Sequence, residues 1–312
     1  MRLRFVFASA LVGVACVGVC LDPALIKAMA RIEGALTPSP PAQSTPRPTA
    51  PATCPTDPLA PATTPKLAFD NRPDAAGRAA RYGTLQYPRG PIARMQVALT
   101  IDDGPDAALH ERVLDILDKH CLKATFFFVG ILANARPDLV RETAARGHTI
   151  GTHSLTHPDN MRRLSAASQD LQITGGFQAA ENALETTPAG QRAALAPFFR
   201  FPGLNDSPAM LAYLGQRNIA VFSADFGTDD WKGISSSEIE RRGLRDAAES
   251  GGGVVIVHES RPHLVETLDD LITQLERRGY SFVQLTPTPS GGALAASAPG
   301  ALLHPAPAPK QS

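Results

Sequence analysis

Apolar positions recur with two different periods along the middle of the chain. Short runs rich in β-branched and aromatic residues read as strands: Gln96–Thr100, Thr125–Val129, Thr149–Thr152, Phe198–Phe201, Ala220–Ser223, Val254–Val257 and Phe282–Leu285. Between them apolar residues return at helical spacing, as in Leu109, Val113, Ile116 and Leu117, and again in Leu264, Thr267, Leu268, Leu271, Ile272 and Leu275. Strands this apolar have no face to give to water. They belong in a sheet covered on both sides, and strand–helix alternation makes that sheet parallel. The pattern predicts an α/β fold, a distorted (β/α)7-type barrel with parallel strands, whose chemistry gathers at the C-terminal strand ends.

The flanks differ in composition. Met1–Arg4 is basic and Phe5–Leu21 carries no charge, the pattern of a secretory signal. The run is marginal for a membrane span of ~20 residues, so residues 1–21 read as a signal peptide or, if retained, an N-terminal anchor. Cys16 and Cys20 keep lipidation open as a third fate, although Gly13-Val14-Ala15-Cys16 is only a partial lipobox and Val19 before Cys20 is too large for a good one. Residues 22–90 form a linker and lead-in, dominated from Leu36 to Lys66 by Pro, Ala and Thr, a composition that makes an extended spacer. Residues 91–286 are the folded domain, and 287–312 a disordered tail. The expected location is outside the cytoplasm: periplasm, cell envelope or extracellular space. Cys54 and Cys121 could pair in an oxidising compartment. Their settings point instead to a mobile thiol in the spacer and a small buried apolar residue at a helix end.

Candidate chemistry sits where the predicted strands stop. The first strand runs into Asp102-Asp103-Gly104-Pro105, the third into His153-Ser154-Leu155-Thr156-His157, and the fourth into Arg200-Phe201-Pro202-Gly203. The fifth leads to Asp225-Phe226-Gly227-Thr228-Asp229-Asp230-Trp231 and the sixth ends in His258-Glu259. Two His four apart on a helical turn, with one carboxylate, would give three ligands and leave room for water, as catalytic metal sites require. The plain alternative is two surface His on a loop. Asp102 and Asp103 are either a polar turn or a pair that divides metal binding from base chemistry. Arg200 is a surface charge or the bidentate partner of a carboxylate. Trp231 is core or a platform for a sugar ring, and His258 alone would read as structural.

Taken in order, TIDDGPD, HSLTH, RFPG, DFGTDDW and IVH resemble the five motifs of the NodB-homology polysaccharide deacetylases, the fourth carbohydrate esterase family, over about Val97 to Leu285. The phrase ATFFFVG at Ala124–Gly130 is similar too. The resemblance implies that Asp103, His153 and His157 bind a divalent metal, zinc first with cobalt or nickel as alternatives. It implies Asp102 as general base, His258 as general acid, Arg200 orienting Asp102, and Asp225 or Asp230 tuning His258. Gly203 would offer an oxyanion donor beside Pro202, and Trp231 and Ile256 would line the acetyl pocket. Three places depart from the family pattern. Gly203 stands where an aromatic residue is usual, four residues instead of two separate Asp225 from Asp230, and Glu259 follows His258 where Asp is common.

The implied activity is metal-dependent hydrolysis of N-acetyl groups on N-acetylglucosamine-type units of a cell-wall or extracellular polysaccharide such as peptidoglycan. Two alternatives stand beside it: an O-acetyl esterase of the acetyl-xylan type, and a non-catalytic polysaccharide-binding protein on the same fold. Lys plus Arg and Asp plus Glu each number 30, so nothing electrostatic points to nucleic acid. A monomer is expected, with membrane contact only through the N-terminal segment if it is uncleaved or lipidated.

Overall fold

The computed structural model of the chain describes residues 64–288. The expected signal, all but the last residues of the spacer, and the tail from residue 289 lie outside the described residues. The lead-in supplies β1 (Lys66–Phe69) and β2 (Arg81–Tyr82). Then come β3 (Gln96–Asp102), α1 (His110–Lys119), β4 (Thr125–Phe128), α2 (Gly130–Ala135), α3 (Pro137–Ala145), β5 (Thr149–Thr152), α4 (Ala166–Leu184), α5 (Ala189–Arg192), β6 (Leu195–Phe199) and α6 (Pro208–Gly215). The chain continues through β7 (Ala220–Phe222), β8 (Phe226–Gly227), α7 (Ser236–Ser250), β9 (Gly252–His258), α8 (Pro262–Arg277), β10 (Ser281–Phe282) and β11 (Gln284–Pro287). Part of the expected lead-in is therefore built into the fold: Phe69 and Ala79 are fully buried.

The main sheet has the order β2-β7-β6-β5-β4-β3-β9-β8, with β10 alongside the start of β3, and its pairs are parallel. Its two edges lie near each other because one run, Ala220–Gly227, carries both β7 and β8. That run pairs with β6 at its start and with β9 at its end, so the sheet curls towards a barrel. Asp225, midway, closes the seam: its carboxylate accepts from Thr84 N–H at 3.0 Å and Val254 N–H at 2.7 Å. Gly253 lies opposite at φ 122°, where an added Cβ would fall 2.4 Å from Asp225 Oδ2, so only glycine fits.

Period-two alternation sorts the strand residues into two cores. Val97, Leu99, Ile101, Phe126, Phe128, Val255 and Val257 face the helices, including the predicted stripe of α8 from Leu264 to Leu275. Ala98, Phe127, Phe198, Phe222 and Val254 face inward. The same inward face continues up β3 through Thr100 to Asp102, and up β9 through Ile256 to His258, so the catalytic candidates stand on top of a plug of phenylalanines. The separate pair β1–β11 covers the other end, where Thr149 Oγ1 donates to Leu285 O at 2.7 Å.

Cys121 corrects an expectation. It is disulfide-bonded, not a free apolar filler, and its half-buried position follows α1 with φ 55°. Cys54 lies outside the described residues.

Candidate active site

Because the strands are parallel, their C-terminal ends share one rim. A cavity of about 920 Å³ opens there, lined among others by Asp102, Asp103, His153, His157, Asp230 and His258. Asp102 sits opposite His258 in the β3–β9 register. The chain then turns sharply, and Asp103 takes φ 67°, swinging its carboxylate over the barrel mouth beside Asp102.

His153 and His157 do not lie on a helical turn. They flank a loop in which Ser154 and His157 are left-handed and Ser154 Oγ accepts from His157 N–H at 3.0 Å, which brings the ring centroids to 4.9 Å. His153 Nδ1 bonds to Arg200 O at 2.8 Å, so the lone pair of Nε2 is left to the site. Burial, and then the neighbouring His157, hold the His153 imidazole down at about 3, in its neutral, ligating form. Asp103 Oδ1 lies 3.6 Å from His153 Nε2 and 3.4 Å from His157 Nε2. One donor atom from each of the three residues falls within 4.8 Å of the others. Asp103 Oδ1 is buried without a hydrogen-bond partner among the described residues. Two imidazoles and an unsatisfied carboxylate oxygen converging on one point fit a borderline divalent cation of the zinc type.

Asp102 is held from below. Arg200, fully buried, donates from Nη1 to Asp102 Oδ1 at 2.7 Å and to Thr100 Oγ1 at 2.8 Å. Its Nη2 donates to Ser223 O at 2.8 Å, and its guanidinium lies 4.3 Å above the Phe127 ring. The contact with Asp102 is a single hydrogen bond, not the expected bidentate fork, because the second arm goes to the barrel wall. Asp102 Oδ2 is buried without a hydrogen-bond partner among the described residues, 3.8 Å from His153 Nε2, and faces the cavity.

Of the two carboxylates considered for His258, Asp230 is the one in contact. Its Oδ1 meets His258 Nδ1 at 2.9 Å and its Oδ2 accepts from His258 N–H at 2.7 Å. Burial works to lower the His258 pKa, but the Asp230 hydrogen bond and charge outweigh it and raise it above the usual imidazole value. Asp225 is committed to the seam instead. Gly203, Ile256 and Trp231 line the cavity, Pro202 is buried in the turn beside Gly203, and Trp231 stands at the rim 57% exposed rather than in the core. Two contributors were not among the sequence candidates: Ser260, outside the motifs, whose Oγ donates to Asp103 Oδ2 at 3.4 Å, and Thr100, the first residue of TIDDGPD, whose Oγ1 donates to Val255 O and accepts from Arg200 Nη1.

A parallel barrel with this rim of carboxylates and imidazoles defines a hydrolase of the carbohydrate-esterase class. A family model for polysaccharide deacetylases matches residues 90–221. A peptidoglycan-N-acetylglucosamine deacetylase from Bacillus cereus is 35% identical over 203 residues, 63% of this chain and 69% of that relative. A chitooligosaccharide deacetylase from a Bradyrhizobium species is 29% identical over 200 residues, 60% of this chain and 87% of the relative. Among solved structures, the Bdellovibrio bacteriovorus peptidoglycan deacetylase matches with a TM-score of 0.61 at 28% identity, covering 73% of this chain and 61% of its own. The chain belongs to the NodB-homology polysaccharide deacetylase family.

Proposed function

We propose that this chain is an exported, metal-dependent deacetylase that hydrolyses N-acetyl groups on N-acetylglucosamine units of a polysaccharide, peptidoglycan first and chitin-like chains second. The observation that carries this reading is the convergence on one cavity of Asp103, His153 and His157 with two protonically active groups, Asp102 over Arg200 and His258 over Asp230. The names of the relatives support the substrate class. The basic and apolar N-terminus supports export.

A divalent ion on Asp103, His153 and His157, zinc in the first instance, would supply Lewis acidity, polarising the acetyl carbonyl and acidifying a water. The chain's own groups do the rest. Asp102, fixed by Arg200, takes a proton from the water as its oxygen adds to the acetyl carbon. The Gly203 N–H is the proposed donor to the oxyanion, a contribution of ~3–4 kcal/mol for a well-placed donor. His258, whose Nδ1 is held by Asp230, gives its Nε2 proton to the sugar nitrogen as the C–N bond breaks. The products are acetate and a free amino sugar unit.

Acetate release from peptidoglycan, chitin oligomers, poly-N-acetylglucosamine and acetyl-xylan, with chelator and then with added zinc, tests the reading. Release from acetyl-xylan alone would move the assignment to an O-acetyl esterase. Binding without release in every condition would make it a polysaccharide-binding protein.

A further inference from the structure

Behind the cavity lie two ionisable side chains that this mechanism leaves unused. His110 on α1 and Glu259, the residue after His258, are both fully buried. Glu259 Oε1 accepts from Asp106 N–H at 2.6 Å, and Oε2 meets His110 Nδ1 at 2.8 Å. The other ring nitrogen, Nε2, meets Thr143 Oγ1 at 2.8 Å. The Thr143 hydroxyl has one proton, and it goes to Leu139 O at 2.8 Å. Towards His110 the hydroxyl must therefore accept, so Nε2 carries a hydrogen. Nδ1 faces the Glu259 carboxylate.

A buried pair of this kind is weak evidence for stability, since well-packed apolar residues usually serve as well. What it touches is more telling. Glu259 N–H donates to Asp102 O at 3.2 Å, and its side chain accepts from Asp106 N–H. The two ends of the Asp102–Asp106 loop are thus stapled by one residue. Between them the Glu259 carboxylate presses on Gly104, where an added Cβ would fall 2.0 Å from Oε1. That loop carries Asp103 in its left-handed conformation, and the residue before Glu259 is His258.

We infer that Glu259, braced by His110, is a positioning residue: it fixes the Asp102–Asp106 loop against the end of β9 and so sets the place of Asp103 in the metal-ligating cluster. The inference rests on the metal-site reading above.

Two variants that should both fold separate geometry from charge. Glu259→Gln removes the charge but keeps an oxygen for Asp106 N–H, and its amide can donate to a neutral His110 Nδ1. Glu259→Asp keeps the charge but draws the acceptor back by one methylene. Zinc affinity is measured by competition with a chelating dye, and amide hydrogen exchange at Asp106 is followed in the metal-free protein. Glu259→Asp should weaken zinc binding ~10–100-fold, the usual effect of losing a partner behind a ligand, while Glu259→Gln stays within ~3-fold of the parent. Asp106 exchange should quicken in the Asp variant only. Parent-like zinc affinity and exchange in Glu259→Asp, or equal impairment of both variants, overturns the inference. If the parent protein itself takes up no zinc, the metal-site reading fails on that arm, and Asp106 exchange still decides whether Glu259 holds the loop.

Discussion

Replacing Asp102 with Asn separates proton transfer from metal binding and carries a stability signature that the structure makes quantitative. Arg200 and Asp102 are both buried, and Asp102 is the only carboxylate within ion-pair distance of Arg200 among the described residues. Removing one member of such a pair costs about 3–5 kcal/mol, because the remaining charge is stranded. The Asn oxygen can still accept from Nη1, so the lower end, about 3 kcal/mol, applies. For a folded unit of roughly 220 residues, at about 2–4 °C per kcal/mol, the melting temperature should fall by ~6–12 °C. Turnover should fall ~10²–10⁴-fold, the contribution of a positioned base. Zinc content, measured by elemental analysis of the purified variant, should stay at that of the parent, because Asp103, His153 and His157 are untouched. Asp103→Asn should do the opposite, losing zinc affinity, with excess zinc restoring part of the rate. An Asp102→Asn protein that melts like the parent would refute the account of Arg200, and one that loses its zinc while Asp103→Asn keeps it would invert the two roles.

Other outcomes follow from the same geometry. Chelation should abolish acetate release and zinc should restore it, whereas His153→Ala should resist restoration at matched zinc. His258 must be protonated to act as acid and its pKa is raised, so kcat should fall as pH climbs through that raised value; Asp230→Asn should shift the alkaline limb of the profile to lower pH. Asp225→Ala leaves Thr84 N–H and Val254 N–H without their acceptor, at about 1–3 kcal/mol each, so the melting temperature should drop while kcat per folded molecule stays within a few-fold; a kcat collapse like that of Asp230→Ala would mean Asp225 also serves the chemistry. Cys121→Ser should cost about 2 kcal/mol or more, seen as a melting temperature lower by roughly 4 °C or more, and reductant should lower the parent's to match.

The longer strands were legible because their residues are buried on both faces, which leaves an uninterrupted apolar signature. The edges were not. β2 and β8 are two residues each and owe their pairing to neighbours across the seam. α4 escaped the helical pattern because Gly176, Ala179, Ala180 and Ala183 form much of its buried face, where close packing replaces large apolar side chains. At the site, residue identities could be read from the chain but contacts could not. Asp225 and Asp230 look equivalent in sequence, and only the closure of the sheet sends one to the seam and the other to His258. Arg200 was legible as a partner of Asp102, but its second arm goes to Ser223 O, which no pattern of side chains encodes. The expectation of a helical turn for His153 and His157 failed because ligand convergence there comes from two left-handed residues.

Asp102 and His258 face each other across two adjacent strands paired over seven consecutive positions. The spacing between these two side chains is therefore set in part by main-chain hydrogen bonding between neighbouring parallel strands. The loops that would meet the polymer, around Gly203 and Trp231, hang on other strand ends. Those loops also hold groups that the proposed chemistry needs, the Gly203 N–H and, beside Trp231, the Asp230 carboxylate against His258, so a change there would touch substrate choice and proton transfer together.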